Sequence, residues 1–243
     1  MAPQILTEPG SPPAAAVDRS TAERWIELVL VLFVAVSQPL LLSVYVVIFG
    51  VPNSITSGNL RYVYACVQEA SGLLVLWYVL RRTGRTFSSL GLRASVRGGF
   101  AGLGLAVVGS AAYLLSSVLI EVVHRYYFGA YVTRTSPALL FPKASWIILI
   151  PFLLLNCFFE EAIVRAYLMT ELSELTGSMS WAAIASILVQ TSYHTYQGWL
   201  PVMGLAATFS VFSFYYARAQ KLFPLYIAHV LVDALAMVYL FAR

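Results

Sequence analysis

Cys157-Phe158-Phe159-Glu160-Glu161-Ala162-Ile163-Val164-Arg165-Ala166-Tyr167 sets two adjacent carboxylates and an arginine in a run that is otherwise nearly all apolar from 146 to 168. Charge at membrane depth costs ~2.5–3.5 kcal/mol per residue on insertion scales, so it persists where something holds it or uses it. On a helix, Glu161 and Arg165 are four apart with the acid N-terminal to the base, the better orientation for a pair. Glu160 lies about 100° round the same turn and has no partner in the local sequence. A carboxylate without a partner in a dry place is a candidate base.

The surrounding chain reads as a polytopic membrane protein. Of its 243 residues, 60% are hydrophobic and 11% charged, against about 25% charged in an average soluble domain. The mean hydropathy is +0.78. The net charge of +4 is modest, and no basic run or basic–aromatic alternation points to a nucleic-acid partner. Cys66 and Cys157 both fall in apolar spans and read as small buried hydrophobes, not as a disulfide. Among the fifteen basic residues only Lys143 and Lys221 are lysine. That bias points to a GC-rich genome, and with the hydropathy to a bacterial plasma membrane.

Taken in order, residues 1–20 are rich in Pro, Ala and Ser and read as a disordered tail, leaving 21–243 as one membrane domain. The fold expected is all-α: a polytopic transmembrane helical bundle of about seven spans. These cover about 25–50, 60–80, 98–123, 143–175, 181–194, 199–217 and 222–241. Pro39, beside Gln38, is expected to kink the first. Gln68 and Glu69 lie mid-way along the second, and Glu69 is placed to answer Arg165 inside the bundle. Arg81, Arg82, Arg85, Arg93 and Arg97 follow, with Phe87, Leu90 and Leu92 among them reading as a short interfacial helix on the membrane surface. In the third span Gly98, Gly102, Gly104, Gly109 and Ser110 allow close helix approach. His124 reads as an exposed histidine at the boundary. Basic residues in short loops (Arg19 and Arg24, the five arginines after span two, Arg218 and Lys221) fall on one side and favour a cytoplasmic N terminus.

The late spans hold the remaining chemistry. His194 closes the fifth, and His229 and Asp233 lie four apart on one face of the seventh. Two Glu, two His and an Asp in these spans are each costly in lipid unless they converge on a wet polar cavity. In such a cavity a carboxylate can take a proton from water, and one histidine can hold that water or protonate a leaving amine. The other can donate to the oxyanion of a tetrahedral intermediate. Zinc on Glu160, His194 and His229 is the competing use of the same set. There is no His-Glu-x-x-His signature, and no serine stands in a nucleophile-elbow context.

Glu160-Glu161-x-x-x-Arg165, then His194, then His229-x-x-x-Asp233, resembles the CPBP family of CAAX prenyl endopeptidases and bacteriocin-processing or immunity proteins, also called the Abi family. Its pattern is Glu-Glu-x-x-x-Arg, Phe-x-x-x-His and His-x-x-x-Asn or Asp, and the resemblance covers about 146–237. One departure is visible: Gln190 stands where the family has Phe, four residues before His194. This bears on the packing of that motif and not on the histidine. The resemblance implies an intramembrane protease of glutamic type, with its site among the last four spans. It implies that Glu160 activates the water, His194 holds it, and His229 and Asp233 form the oxyanion site. Glu161 and Arg165 are then structural or position substrate.

The substrate implied is a membrane-associated peptide or protein, met within the lipid bilayer. Members have also been described as metalloproteases, which keeps zinc open. The competing readings are a non-proteolytic immunity or scaffold member of the same fold and a proton-coupled transporter using Glu69, Glu160 and the histidines as a relay. Against the last, no internal repeat is visible.

Overall fold

In a computed structural model, residues 20–51, 58–129 and 141–241 are described. The N-terminal tail read from the sequence lies outside them, apart from Ser20. Every regular element among the described residues is helical: α1 Thr21–Phe49, α2 Gly58–Arg82, α3 Val96–Phe128, α4 Trp146–Glu160, α5 Leu168–Thr176, α6 Met179–Ser192, α7 Trp199–Ala219 and α8 Leu222–Phe241. A wider π-helical stretch, Glu161–Tyr167, joins α4 to α5 into one helical rod. Six helical stretches, including that rod, are long and apolar enough to cross a bilayer. The seventh expected span is α6, only 14 residues long. The protein is an integral membrane protein, and Phe33, Phe100, Ile147 and Leu235 are among the large apolar side chains exposed on its outer faces.

Local chemistry explains the individual helices. Ser20 caps α1 through a reciprocal capping box with Glu23, which satisfies two of the end groups a helix leaves open. Proline 39 has no N–H, so the carbonyl four residues earlier loses its helical donor. That carbonyl, Ala35 O, accepts instead from the Gln68 side chain at 3.1 Å. Gln68, polar and mid-span, therefore repairs the break that Pro39 makes.

α3 packs along α7 and α8 through its small residues. A Cβ at Gly102 would meet Ile227 and the Pro224 carbonyl oxygen at 2.8 Å, whereas one at Gly104 would meet nothing within 4 Å. Only one face of the glycine-rich span is thus a contact face. The segment around Phe87–Leu90 differs from the surface helix expected. It is a single 3₁₀ turn whose Leu90 is buried, and the Phe87 ring packs against Phe158. Its apolar side chains find a protein groove instead of lipid. The turn ends at Gly91, whose carbonyl accepts from Leu222 N at 3.1 Å and so caps α8. A side chain there would strike the Gln220 carbonyl oxygen at 2.3 Å, and the positive φ of 86° already favours glycine.

An ionic clamp closes the same end of the bundle. Glu171 on α5 is buried and accepts from Arg24 at the start of α1 at 2.9 Å. It also pairs with Arg85, just after α2. Arg82 pairs with the buried Glu27 at 3.2 Å.

Candidate active site

The charged stretch around Glu160, Glu161 and Arg165 lies where the helix widens. From Glu161 to Tyr167 the backbone is π-helical, a rare geometry that is frequent at functional sites. Every residue of this stretch is buried. Ser186 on α6 donates to the Val164 carbonyl at 2.8 Å and so supports the irregular backbone.

Arg165 is fully buried and points into the bundle. Its Nε donates to Glu161 Oε2 at 3.3 Å, and its Nη1 donates to Ser186 Oγ at 2.7 Å and Ser213 Oγ at 2.9 Å. Its Nη2 donates to Gln190 Oε1. The pair expected from the four-residue spacing is present, and three further acceptors on α6 and α7 take three more of the five N–H groups. Glu69 does not answer Arg165. It accepts instead from Asn156 Nδ2 at 2.9 Å.

Glu160, for which no charged partner was expected from the local sequence, has several neighbours in the fold. Its Oε2 accepts from Gln190 Nε2 at 2.8 Å, and its Oε1 lies 3.5 Å from Asn156 Nδ2. Two histidine nitrogens face the same Oε2: His194 Nε2 at 3.7 Å and His229 Nε2 at 3.9 Å. Both exceed direct hydrogen-bond range. His229 is fixed by its other nitrogen, Nδ1, 2.9 Å from Glu161 Oε1. An ionised carboxylate only accepts, so Nδ1 carries a hydrogen and Nε2 is turned toward Glu160. Asp233 Oδ2 lies 3.7 Å from that Nε2 and 3.8 Å from Cys157 Sγ.

His194 does not close α6 as the sequence suggested. The helix ends at Ser192, and the histidine sits in the turn before the 3₁₀ segment Thr195–Gln197. Off the helix its ring is free to turn inward, stacked near Phe209. Gln197 Nε2 lies 3.2 Å from its Nδ1, a bond that assigns the ring hydrogen to Nε2. Buried and without a hydrogen-bond partner, Nε2 is aimed toward Glu160. Beside it, burial pushes the Tyr196 hydroxyl up to about 12, so this phenol stays neutral at ordinary pH. Histidine 124 is not part of the cluster and packs against Phe128 and Trp199.

Glu160, His194 and His229 are a carboxylate and two imidazoles, the ligand types of a catalytic zinc site; coordination through His194 Nε2 would require the ring hydrogen to leave that nitrogen. A second group, Cys157, His229 and Asp233, has its ligand atoms all within 4.8 Å of one another. Sequence reading missed Gln190 as anything but a departure, and it missed Asn156 altogether. Asn156 precedes Glu160 by four, a spacing at which an amide and a carboxylate meet on one helix face, so that signal was available.

Residues 141–235 match the family model for type II CAAX prenyl endopeptidase, Rce1-like. This Rce1-like segment is the one whose motifs carried the resemblance. It contains Glu160, Glu161, Arg165, Gln190, His194, His229 and Asp233, and excludes Glu69. No curated protein and no solved structure gives a significant match to the chain.

Proposed function

We propose that the protein is an intramembrane endopeptidase that hydrolyses a peptide bond of a membrane-associated protein, using water activated by Glu160. The observation that carries this reading is the convergence of two histidine nitrogens, from separate elements, on one buried carboxylate oxygen at 3.7 and 3.9 Å. The Rce1-like match supports the same reaction class.

In this reading a water lies against Glu160 Oε2 and His194 Nε2, which together hold and orient it. Glu160 takes a proton from the water as its oxygen attacks the substrate carbonyl carbon. The carbonyl oxygen gathers negative charge beside His229, whose Nε2 donates to it in the form bearing a hydrogen on each ring nitrogen. Glu161 holds that ring, and Asp233 flanks it. As the carbon–nitrogen bond breaks, the proton held by Glu160 passes to the leaving amine. No covalent enzyme intermediate forms. A zinc ion, if bound by Glu160, His194 and His229, would polarise the water and the carbonyl.

The test compares membrane-protein termini in native cells carrying wild type or Glu160→Gln, by mass spectrometry. A neo-terminus present in wild type and absent in the variant is the expected result, and it names the substrate. Identical termini, with both proteins at equal membrane level, would overturn the proteolytic reading in favour of a binding or immunity role.

A further inference from the structure

Gln190 stands at a position where an apolar ring was expected, yet it is fully buried with both ends of its amide engaged. Its oxygen accepts from Arg165 Nη2, and its nitrogen donates to Glu160 Oε2 at 2.8 Å. The orientation of the amide is not free. A guanidinium only donates and an ionised carboxylate only accepts, so the reversed amide would oppose donor to donor and acceptor to acceptor. Gln190 thereby closes a chain of hydrogen bonds from Glu160 to Gln190, Gln190 to Arg165, Arg165 to Glu161 and Glu161 to His229, whose Nε2 lies 3.9 Å from Glu160. Phenylalanine has neither donor nor acceptor and could not close it.

The oxygen that Gln190 holds is the one facing both histidines. Without that bond, Glu160 Oε2 loses its one hydrogen bond within 3 Å. Resting on the proteolytic reading above, we propose that Gln190 is a positioning residue for the catalytic base. Anchored by Arg165, it fixes the Glu160 oxygen that meets the water. Its effect is on the chemical step and not on substrate binding.

The experiment uses the full-length protein in proteoliposomes and a synthetic peptide spanning the junction identified by the neo-terminus. Four proteins are compared: wild type, Glu160→Gln, Gln190→Glu and Gln190→Met. Gln190→Glu keeps the shape and the oxygen that Arg165 needs, but loses the N–H toward Glu160. Gln190→Met removes both ends of the bridge without adding charge, and leaves Arg165 with Glu161, Ser186 and Ser213. Loss of one charge-assisted hydrogen bond corresponds to about 10- to 100-fold. Both Gln190 variants are expected to lose that much in kcat, with KM within about twofold of wild type and thermal melts still cooperative.

An inactive Glu160→Gln beside a Gln190→Glu of wild-type kcat would overturn the proposal. So would an effect confined to Gln190→Met, since Gln190 would then serve only Arg165. Undiminished cleavage by Glu160→Gln, or no junction produced by wild type, would remove the proteolytic reading itself and this inference with it.

Discussion

Arg165 is the residue that makes two adjacent buried glutamates tolerable. It neutralises Glu161 directly and reaches Glu160 through Gln190. Arg165→Met is expected to cost about 3–5 kcal/mol, because it leaves a buried carboxylate without its cation; a thermal melt in detergent reads the loss. Arg165→Lys should recover only part of it, since an ammonium cannot spread its donors over four partners on three elements. The two histidines should separate in the same assay. His194 has one ring nitrogen unpartnered, so His194→Ala is predicted to abolish cleavage with a near wild-type melt. His229→Ala should also abolish cleavage and cost about 1–3 kcal/mol in stability, because Glu161 Oε1 loses its donor. Equal melts for the two would contradict this division.

At the scale of elements, the site depends on a helix that changes pitch. The π-helical stretch was invisible in the sequence. Glu161 and Arg165 are four apart in either geometry, and their pairing says nothing about the backbone between them. What holds the irregular turn lies on another helix, where Ser186 joins the Val164 carbonyl to Arg165. Ser186→Ala is therefore expected to destabilise by about 1–3 kcal/mol, far more than an ordinary serine in a span. The glycine stripe of α3 was legible as a packing face, but which glycines touch was not. Gly102→Val is predicted to disrupt folding through Ile227 and Pro224, whereas Gly104→Val should be tolerated. Fluorescence-detected size exclusion of the two variants makes the comparison.

For the whole molecule, hydropathy alone was enough to identify a helical membrane protein. The late motifs were legible because charge in an apolar run is conspicuous. What escaped the sequence was the set of partners drawn from distant segments. Glu69 appeared suited to Arg165 because both are charged, yet a neutral asparagine claims it. The arginines after α2 appeared to be surface charges, yet Arg85 reaches a buried Glu171. Glu171 stands eleven positions beyond Glu160 on the same rod. Glu171→Ala should lower the melting temperature by leaving Arg85 without its buried acceptor and Arg24 with Glu174 alone, while cleavage per folded molecule stays near wild type. Stability and chemistry then sit at different levels of one helical rod.

The measurement that tests the account most directly is hydrolysis of the junction peptide by purified protein in proteoliposomes, wild type against Glu160→Gln. The substitution keeps the side chain's shape and removes its capacity to take a proton from water. Cleavage at the same bond by wild type, lowered at least about 10²-fold in the variant with an unchanged melt, is the result predicted. Equal rates from the two proteins would contradict it, because the base would then lie elsewhere.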